Sequence, residues 1–213
     1  MQPLTRGRGD WNGIARVTQI QTETRTSAGG LLVRKAAMRD IPRILRLINS
    51  YAAQGIMLPR TEFEMSENVR DFSVAYSDDA LLGCGALHFY TPTSAEVRSL
   101  AVDPEYKQHG VGRAIVEALE REAIENDLES IFAFTYVPGF FARLGFTEVE
   151  RGELPLKAWK DCLRCPKFNN CDEIAVLKRL KAAGFSRPRP TVAESSPEEQ
   201  LIQLPIPGKV TFR

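Results

Sequence analysis

Two glycines just ahead of a predicted helix form the most informative chemical pattern in this 213-residue chain. Residues 96–102 have the composition of a strand, and the run 107–114, Lys-Gln-His-Gly-Val-Gly-Arg-Ala, then leads into the helix. Glycine lets a backbone approach a ligand closely, and the first N–H groups of a helix have no partner inside it. An anionic phosphate suits such a loop, and Lys107 and Arg113 would add positive charge. A tight loop without a ligand would explain the same glycines.

Two other phosphate-binding motifs do not fit this loop. A dinucleotide-binding fingerprint requires a third small residue where Ile115 stands. The pattern Gly-x-x-x-x-Gly-Lys-Ser/Thr occurs nowhere in the sequence. The loop therefore argues against an enzyme that uses a nicotinamide cofactor or a nucleoside triphosphate.

The run from Leu100 to Ala114 resembles the acetyl-CoA-binding motif of the GNAT acetyltransferases, in which an Arg/Gln-x-x-Gly-x-Gly/Ala loop follows a strand ending in Leu-x-Val-x-Pro. Lys107 stands at the family's Arg or Gln position, a mild departure because the family's pyrophosphate contacts come mainly from backbone N–H groups. Residues 140–146, Phe-Phe-Ala-Arg-Leu-Gly-Phe, match the family's second signature, in the helix that flanks CoA. The resemblance extends over about residues 31–180 and implies acetyl-CoA as co-substrate. It implies a CoA site made of Leu100, Ala101, Val102, Lys107, Gln108, His109, Gly110, Val111, Gly112, Arg113, Ala114, Phe140 and Phe141.

Acetyl transfer to an amine requires that a proton leave the nitrogen and that the departing CoA thiolate gain one. Glu96 matches the position at which some family members carry a catalytic glutamate, so the resemblance implies that it is the base; a glutamate on a solvated strand face is the alternative. The family's frequent tyrosine ahead of the Gly-Phe signature is Phe141 here. Tyr136 is the substitute candidate for the proton donor, and a buried tyrosine bonded to the backbone is the alternative. The resemblance also implies that a backbone N–H near Leu100 stabilises the tetrahedral intermediate.

Residues 54–60, Gln-Gly-Ile-Met-Leu-Pro-Arg, resemble a segment beside the acceptor site of amino-acid N-acetyltransferases that make N-acetylglutamate. If the strand at 96–102 is regular, Glu96, Arg98 and Leu100 project to one side of it, because side chains alternate along a strand. Arginine binds carboxylate bidentately, so Arg60 and Arg98 together would select a dicarboxylic amino acid.

A wider resemblance narrows the expected acceptor. Residues 83–88, Gly-Cys-Gly-Ala-Leu-His, followed by 96–102, look like the short-form amino-acid N-acetyltransferases, which lack the kinase-like regulatory domain of the longer enzymes. This implies acetylation of the α-amino group of L-glutamate, the first step of arginine biosynthesis. Glutamine, another small amine or a protein N-terminus are alternative acceptors. A sensor of the same fold that binds CoA without chemistry is a further alternative, because Phe141 replaces the tyrosine.

The elements that must position these residues follow from hydrophobic periodicity. Strands are predicted at 31–36, 72–76, 80–90, 95–102, 131–135, 146–149 and 174–180. Helices are predicted at 41–51, from the Thr61 capping box, at 112–126 and at 140–144. The order β-α-α-β-β-β-α-β-α-β-β predicts an α/β fold with a central, mostly antiparallel mixed sheet and helices on both faces, as in the GNAT acyl-CoA N-acyltransferases.

Composition bounds the domain organisation and the partners. Residues 1–30 are predicted to be a disordered tail and 186–213 a proline-rich tail, around one acetyltransferase domain, 31–185, with a cysteine-containing appendage at 151–173. A net charge of +1 and the absence of a long apolar run argue against nucleic acid and against a membrane as partners. A small-molecule amino-acid substrate is what the resemblance implies. A cytoplasmic location is expected, and unpaired strand edges are compatible with a homodimer.

Cys162-x-x-Cys165-Pro166, with Cys171 six residues later, has the first spacing of many metal sites. Three thiols leave a tetrahedral site one ligand short, which Asp172, Cys84 or a cysteine of a second subunit could supply. An iron–sulfur cluster with one non-cysteine position is a further alternative. Reduced thiols that pack the appendage are the alternative. The thioester needs no Lewis acid, so we predict that no metal is bound.

Overall fold

The structure is a computed structural model that describes residues 24–25, 30–154, 163, 165–167 and 170–180. Its strands are β1 Thr24–Arg25, β2 Leu32–Lys35, β3 Phe72–Ser77, β4 Ala80–Thr91, β5 Ser94–Val102, β6 Ser130–Thr135, β7 Thr147–Glu148 and β8 Ile174–Arg179. Its helices are α1 Ile41–Ala52, α2 Glu62–Asn68, α3 Val111–Glu125 and α4 Pro138–Ala142. Short 3₁₀ turns lie at Met38–Asp40, Val69–Asp71, Pro104–Tyr106 and Arg151–Glu153.

Within these residues the eight strands form one sheet in the order β1-β2-β3-β4-β5-β6-β8-β7. Of the strand pairs described, β5–β6 is parallel and the others are antiparallel, because α3 carries the chain over one face between those two strands. The predicted mixed, mostly antiparallel sheet is confirmed, with its order of helices and strands. The additional strand β1 lies inside the segment for which the sequence predicts a tail. The rest of that segment, and the predicted C-terminal tail, lie outside the described residues.

Helices cover both faces of the sheet, as predicted. On β3, Val74 packs with the buried residues of α1, while the adjacent Ala75 packs with those of α3. Neighbouring strand residues point to opposite faces, so α1 and α3 lie on opposite sides. Ile44 and Ile48 of α1 are fully buried, and so are Ile115 and Leu119 of α3. None of the helices in the described ranges combines the length and the apolar character that a membrane span requires.

Strand β5 is not regular, and this changes which of its side chains share a face. One residue of β4 lies between the partners of Arg98 and Ala101, whereas β5 has two residues there. Ser99 takes up the extra residue with a φ of +52°, which makes it a β-bulge. Leu100 consequently packs in the same buried cluster as Val97. The expectation that Leu100 projects with Glu96 and Arg98 is wrong, because the bulge shifts the alternation by one residue.

Strands β5 and β6 separate after a short paired segment. Their register ends at Glu96 and Phe132, whereas β6 continues to pair with β8 as far as Thr135 and Ile174. The second half of β5 therefore diverges from β6, and the gap between them opens toward the end of the sheet that carries the glycine loop.

Candidate active site

A cleft of about 440 Å³ occupies the gap between β5 and β6. Segments distant in sequence line it: residues 55–60, 96–100, 134–137 and 165–167, together with Ala52, Phe141, Arg151, Cys171 and Glu173. The cleft contains both predicted catalytic residues, Glu96 and Tyr136, and both predicted substrate-binding residues, Arg60 and Arg98. The tertiary structure thus brings these four residues into one site.

Glu96 lies at the point where β5 and β6 separate. It is the last residue of β5 that pairs with β6, and His88 of β4 lies opposite it on the other side. The residue is only 9% exposed, yet it lines the cleft. A carboxylate in this position can accept a proton from an amine held in the cleft while bulk water has little access to it.

Arg98 forms an ion pair with Asp71. Its guanidinium lies 3.8 Å from the carboxylate Oδ2 of Asp71, which is also 2.6 Å from Nδ1 of His88. The side chain of Arg98 is 10% exposed, so few orientations are open to it. Asp71 and His88 therefore support a cation that faces the cleft, and an arginine placed in this way can bind a carboxylate group with little loss of side-chain entropy.

Arg60 ends a loop that is tied to α1. The side-chain amide of Asn49 donates to the carbonyl of Arg60 at 3.0 Å and accepts from the N–H of Arg60 at 2.9 Å. Thr61 then caps α2, with the predicted reciprocal bonds to Glu64 present. These two contacts fix the backbone on both sides of Arg60, which lines the cleft.

Tyr136 follows β6 and makes side-chain contacts that the sequence did not indicate. Its hydroxyl accepts a hydrogen bond of 3.2 Å from Nζ of Lys167, which also donates to the carboxylate of Asp172 at 3.0 and 3.1 Å. Partial burial raises the pKa of Tyr136; the bond from Lys167 opposes this rise, and Asp172 adds to it. Tyr136 is therefore protonated at neutral pH, as a proton donor must be.

Two cations of the cleft, Arg151 and Lys167, belong to the predicted appendage and were missed. The guanidinium of Arg151 donates to the carbonyls of Cys171 and Glu173, and so fastens the chain just before β8. Burial raises the pKa of Glu173, while the charge of Arg151 opposes that rise. The sequence around Arg151 and Lys167 contains no pattern that marks them as site residues. Tertiary structure alone brings these two residues to the cleft.

The predicted CoA loop lies at the N-terminus of α3. Gly110 caps the helix with a φ of +81°, and a Cβ at this position would have no atom within 4 Å. At Gly112 a Cβ would lie 3.4 Å from the ring of Phe140 and from Val102, so this glycine allows α3 to pack closely against α4 and β5. The open, left-handed Gly110 fits a phosphate that approaches the first N–H groups of a fifteen-residue helix.

Side chains around this loop are engaged with the protein. Lys107 Nζ lies 5.0 Å above the ring of Tyr51, and Nδ1 of His109 is 2.9 Å from the carbonyl of Lys107. Arg113 forms an exposed ion pair of 3.6 Å with Glu117. Phe141 is buried and lines the cleft as well. These side chains therefore already have partners in the protein, and the binding of CoA by this loop stays a prediction.

Two cysteines of the predicted cluster, Cys165 and Cys171, line the cleft, and Cys162 lies outside the described residues. The thiol of Cys171 is 3.8 Å from the carboxylate of Glu173. Cys84 is fully buried, and burial raises its pKa to about 12, so its thiol stays protonated. Among the residues described, no three His, Cys, Asp or Glu side chains gather as metal ligands. The absence of a metal stays a prediction.

Comparison with known proteins identifies the family. The acetyltransferase (GNAT) family model matches residues 40–146. An uncharacterized N-acetyltransferase of Chlorobaculum tepidum is 42% identical over 153 residues, which cover 72% of this chain and 99% of that protein. An amino-acid acetyltransferase of Mycobacterium tuberculosis is 40% identical over 122 residues, or 56% of this chain and 70% of the relative.

Solved structures agree with this assignment. The structure of Mycobacterium tuberculosis Rv2747 with CoA and a further ligand has a TM-score of 0.61 and 33% identity, and covers 70% of this chain and 99% of its own. N-acetylglutamate synthase from Neisseria gonorrhoeae, solved with coenzyme A and N-acetyl-glutamate, has a TM-score of 0.65 and 28% identity over 71% of this chain. The present chain spans 35% of the length of that synthase.

A mixed sheet that opens between two parallel strands, with a glycine-capped helix beside the opening, defines an acyl-CoA-dependent N-acyltransferase fold. The chain belongs to the GNAT family of acetyltransferases. It is an acetyl-CoA-dependent enzyme.

Proposed function

We propose that this enzyme transfers the acetyl group of acetyl-CoA to the α-amino group of L-glutamate. One observation carries the proposal: a single cleft holds a buried carboxylate, Glu96, together with two arginines from different segments, Arg60 and Arg98. An acceptor with two carboxylates suits this arrangement, because each arginine can bind one carboxylate through charged hydrogen bonds. Two further cations of the lining, Lys167 and Arg151, bond to Asp172 and to backbone carbonyls of the protein.

Glu96 is the base in this proposal. The acceptor amine is mostly protonated at neutral pH, so its proton passes to Glu96, directly or through a water molecule. The nitrogen lone pair then attacks the thioester carbon, and the carbonyl electrons move to oxygen. Beyond Glu96 the described register gives β5 no partner in β6, so backbone N–H groups near the Ser99 bulge and Leu100 are suited to donate to this oxyanion.

Tyr136 supplies the second proton. When the tetrahedral intermediate collapses, the carbon–sulfur bond breaks and the electron pair stays on sulfur. The phenol of Tyr136 protonates the thiolate, and the nitrogen releases its second proton to water as the amide forms, which gives CoA and N-acetylglutamate. In this proposal Tyr136 takes the proton-donor role of the family tyrosine that Phe141 replaces. With a proton donor available, a CoA-binding sensor without activity is the less favoured alternative.

Arg60 and Arg98 orient the acceptor. They enter the cleft from different segments, so one can bind the α-carboxylate and the other the side-chain carboxylate. The names of the relatives support an amino-acid acceptor: the M. tuberculosis protein is an amino-acid acetyltransferase, and the Neisseria structure is an N-acetylglutamate synthase with its product. This reaction would be the first step of arginine biosynthesis.

A thiol-release assay with the full chain, acetyl-CoA and a panel of amino acids tests the proposal. We expect glutamate to exceed glutamine in kcat/KM by roughly tenfold or more, since a charged hydrogen bond contributes about 1.5–3 kcal/mol. Aspartate, glutamine, simple amines and a peptide N-terminus complete the panel. If the enzyme prefers glutamine or a peptide, glutamate is not its acceptor and the proposal is wrong. If the protein binds CoA but acetylates no amine, it is a sensor.

A further inference from the structure

The appendage reaches the candidate proton donor through one lysine. Lys167 Nζ donates to the hydroxyl of Tyr136 at 3.2 Å and lies 4.8 Å from the centre of its ring. Both residues line the cleft, although 31 positions separate them in sequence. The contact therefore depends on tertiary structure, which brings Lys167 to the end of β6.

Other charges of the appendage surround this pair. Asp172 accepts two bonds from Lys167 and faces Tyr136, and Glu173 is the next acidic group. Arg151 holds the segment in place by donating to the carbonyls of Cys171 and Glu173. The bond to Asp172 raises the pKa of Lys167, so its ammonium is charged throughout the neutral range. Tyr136 thus faces one permanent cation and two acidic residues.

A tyrosine that protonates a thiolate has a thermodynamic problem which a cation can solve. The ordinary pKa of a phenol is about 10 and that of a cysteine thiol about 8.5, and partial burial raises the pKa of Tyr136 further, so proton transfer from this tyrosine to a thiolate is unfavourable on its own. A cation bonded to the phenol oxygen stabilises the tyrosinate as it forms. An ammonium at 3.2 Å from that oxygen meets this requirement.

We propose that Lys167 is a positioning residue that makes Tyr136 an effective proton donor, so this part of the cysteine-containing appendage, Lys167 with Asp172, belongs to the active site. This inference rests on the proposed function. In the step it describes, the O–H bond of Tyr136 breaks as the S–H bond of CoA forms, and Lys167 holds the resulting tyrosinate. Tyr136 then regains a proton from water, and Asp172 keeps the ammonium beside the ring between turnovers.

A double-mutant cycle tests the coupling of the two residues. Lys167→Met should lower kcat about tenfold with little change in the KM of either substrate, and Lys167→Arg should restore most of the loss. In a Tyr136→Phe background the same lysine change should have almost no further effect, because the group that it serves is gone. Lys35→Met, which removes an equally exposed lysine paired with Glu122, is the matched control and should leave kcat unchanged.

A tyrosinate titration by ultraviolet absorbance gives a readout that needs no substrate. The absorbance of each protein minus that of its Tyr136→Phe counterpart gives the titration of Tyr136 alone, without the other tyrosines. Lys167→Met should move the pKa of Tyr136 upward, because it removes the donor that favours the phenolate. Asp172→Asn should move it downward, because it removes a negative charge. Opposite shifts are the signature of electrostatic control, which a purely structural lysine would not produce.

The outcomes separate this inference from the proposed function. If glutamate is acetylated but the lysine effect is equal in both backgrounds, Lys167 does not act through Tyr136 and the inference is wrong while the proposed function stands. A large rise in the KM for glutamate alone would make Lys167 an acceptor-binding residue and overturn the inference in the same way. If another amine is the acceptor, the cycle is run with that amine. If no amine is acetylated, the tyrosinate titration is the deciding test. An unchanged pKa of Tyr136 in the Lys167→Met variant would then overturn the inference.

Discussion

The loop proposed to bind CoA, called here the CoA end, and the cleft proposed to bind the acceptor, called the acceptor end, are built by different means. The loop is one continuous run, residues 107–114, which offers backbone N–H groups at the start of α3, with Gly110 in a left-handed conformation. The acceptor end is assembled from side chains of segments far apart in sequence, among them Arg60, Glu96, Tyr136 and Lys167. A site made of backbone depends on local conformation, whereas a site made of side chains depends on each residue separately. The two ends should therefore respond differently to substitution.

Gly110→Val should have the largest effect on the CoA end. A side chain there would occupy the open space in front of the helix, where a phosphate would lie, and would strain a φ of +81°. We expect CoA binding to disappear in isothermal titration calorimetry.

Gly30→Val is the matched control for the strain, because Gly30 has a φ of +73° far from the loop in sequence. It should lower the melting temperature by a similar amount and leave CoA affinity intact. If Gly110→Val binds CoA like the wild type, the loop is not the phosphate site.

Glu96→Gln should have the largest effect at the acceptor end. The amide keeps the shape of the side chain but cannot accept the proton, so kcat should fall by roughly 10²-fold or more while CoA still binds. Steady-state kinetics with glutamate measures this. Glu96→Asp keeps a carboxylate and should retain more activity than Glu96→Gln. Full activity of the glutamine variant at every pH would remove Glu96 as the base.

Arg98→Ala should act on the acceptor alone. We expect the KM for glutamate to rise roughly 10- to 100-fold, with the KM for acetyl-CoA nearly unchanged, because a charged hydrogen bond to carboxylate is lost. Arg60→Ala should act in the same direction. Arg46→Ala, on the exposed side of α1, is the control and should change neither constant. Equal effects on both substrates would assign Arg98 a structural role.

Lys107→Ala should have the smallest effect, and it sharpens the contrast between backbone and side chain. The ammonium lies over Tyr51, and an exposed charge contributes at most about 1 kcal/mol. CoA affinity should therefore fall no more than about fivefold, and less at high salt. A loss of tenfold or more would show that the charge of Lys107, rather than the backbone, dominates phosphate binding.

The sequence was most informative where chemistry and conformation are local. The capping box of Thr61 and Glu64 and the start of α3 within one residue were predictable because near neighbours specify them. The mixed sheet was predictable from the order of strands and helices together with the family resemblance. The bulge at Ser99 was not, because serine adopts a positive φ only under tertiary constraint. That single residue decides that Leu100 faces the α3 core while Glu96 and Arg98 face the other side.

By itself the sequence determined the family, the glycine loop and the identities of Glu96, Tyr136, Arg60 and Arg98 as candidates. Only the tertiary structure decided that these four meet in one cleft, and that Lys167 and Arg151 join them from the appendage. The physical reason is that a helix terminus or a glycine turn is specified by a few consecutive residues. A cleft is specified instead by where strands separate and where a distant segment returns, which depends on packing across the whole sheet.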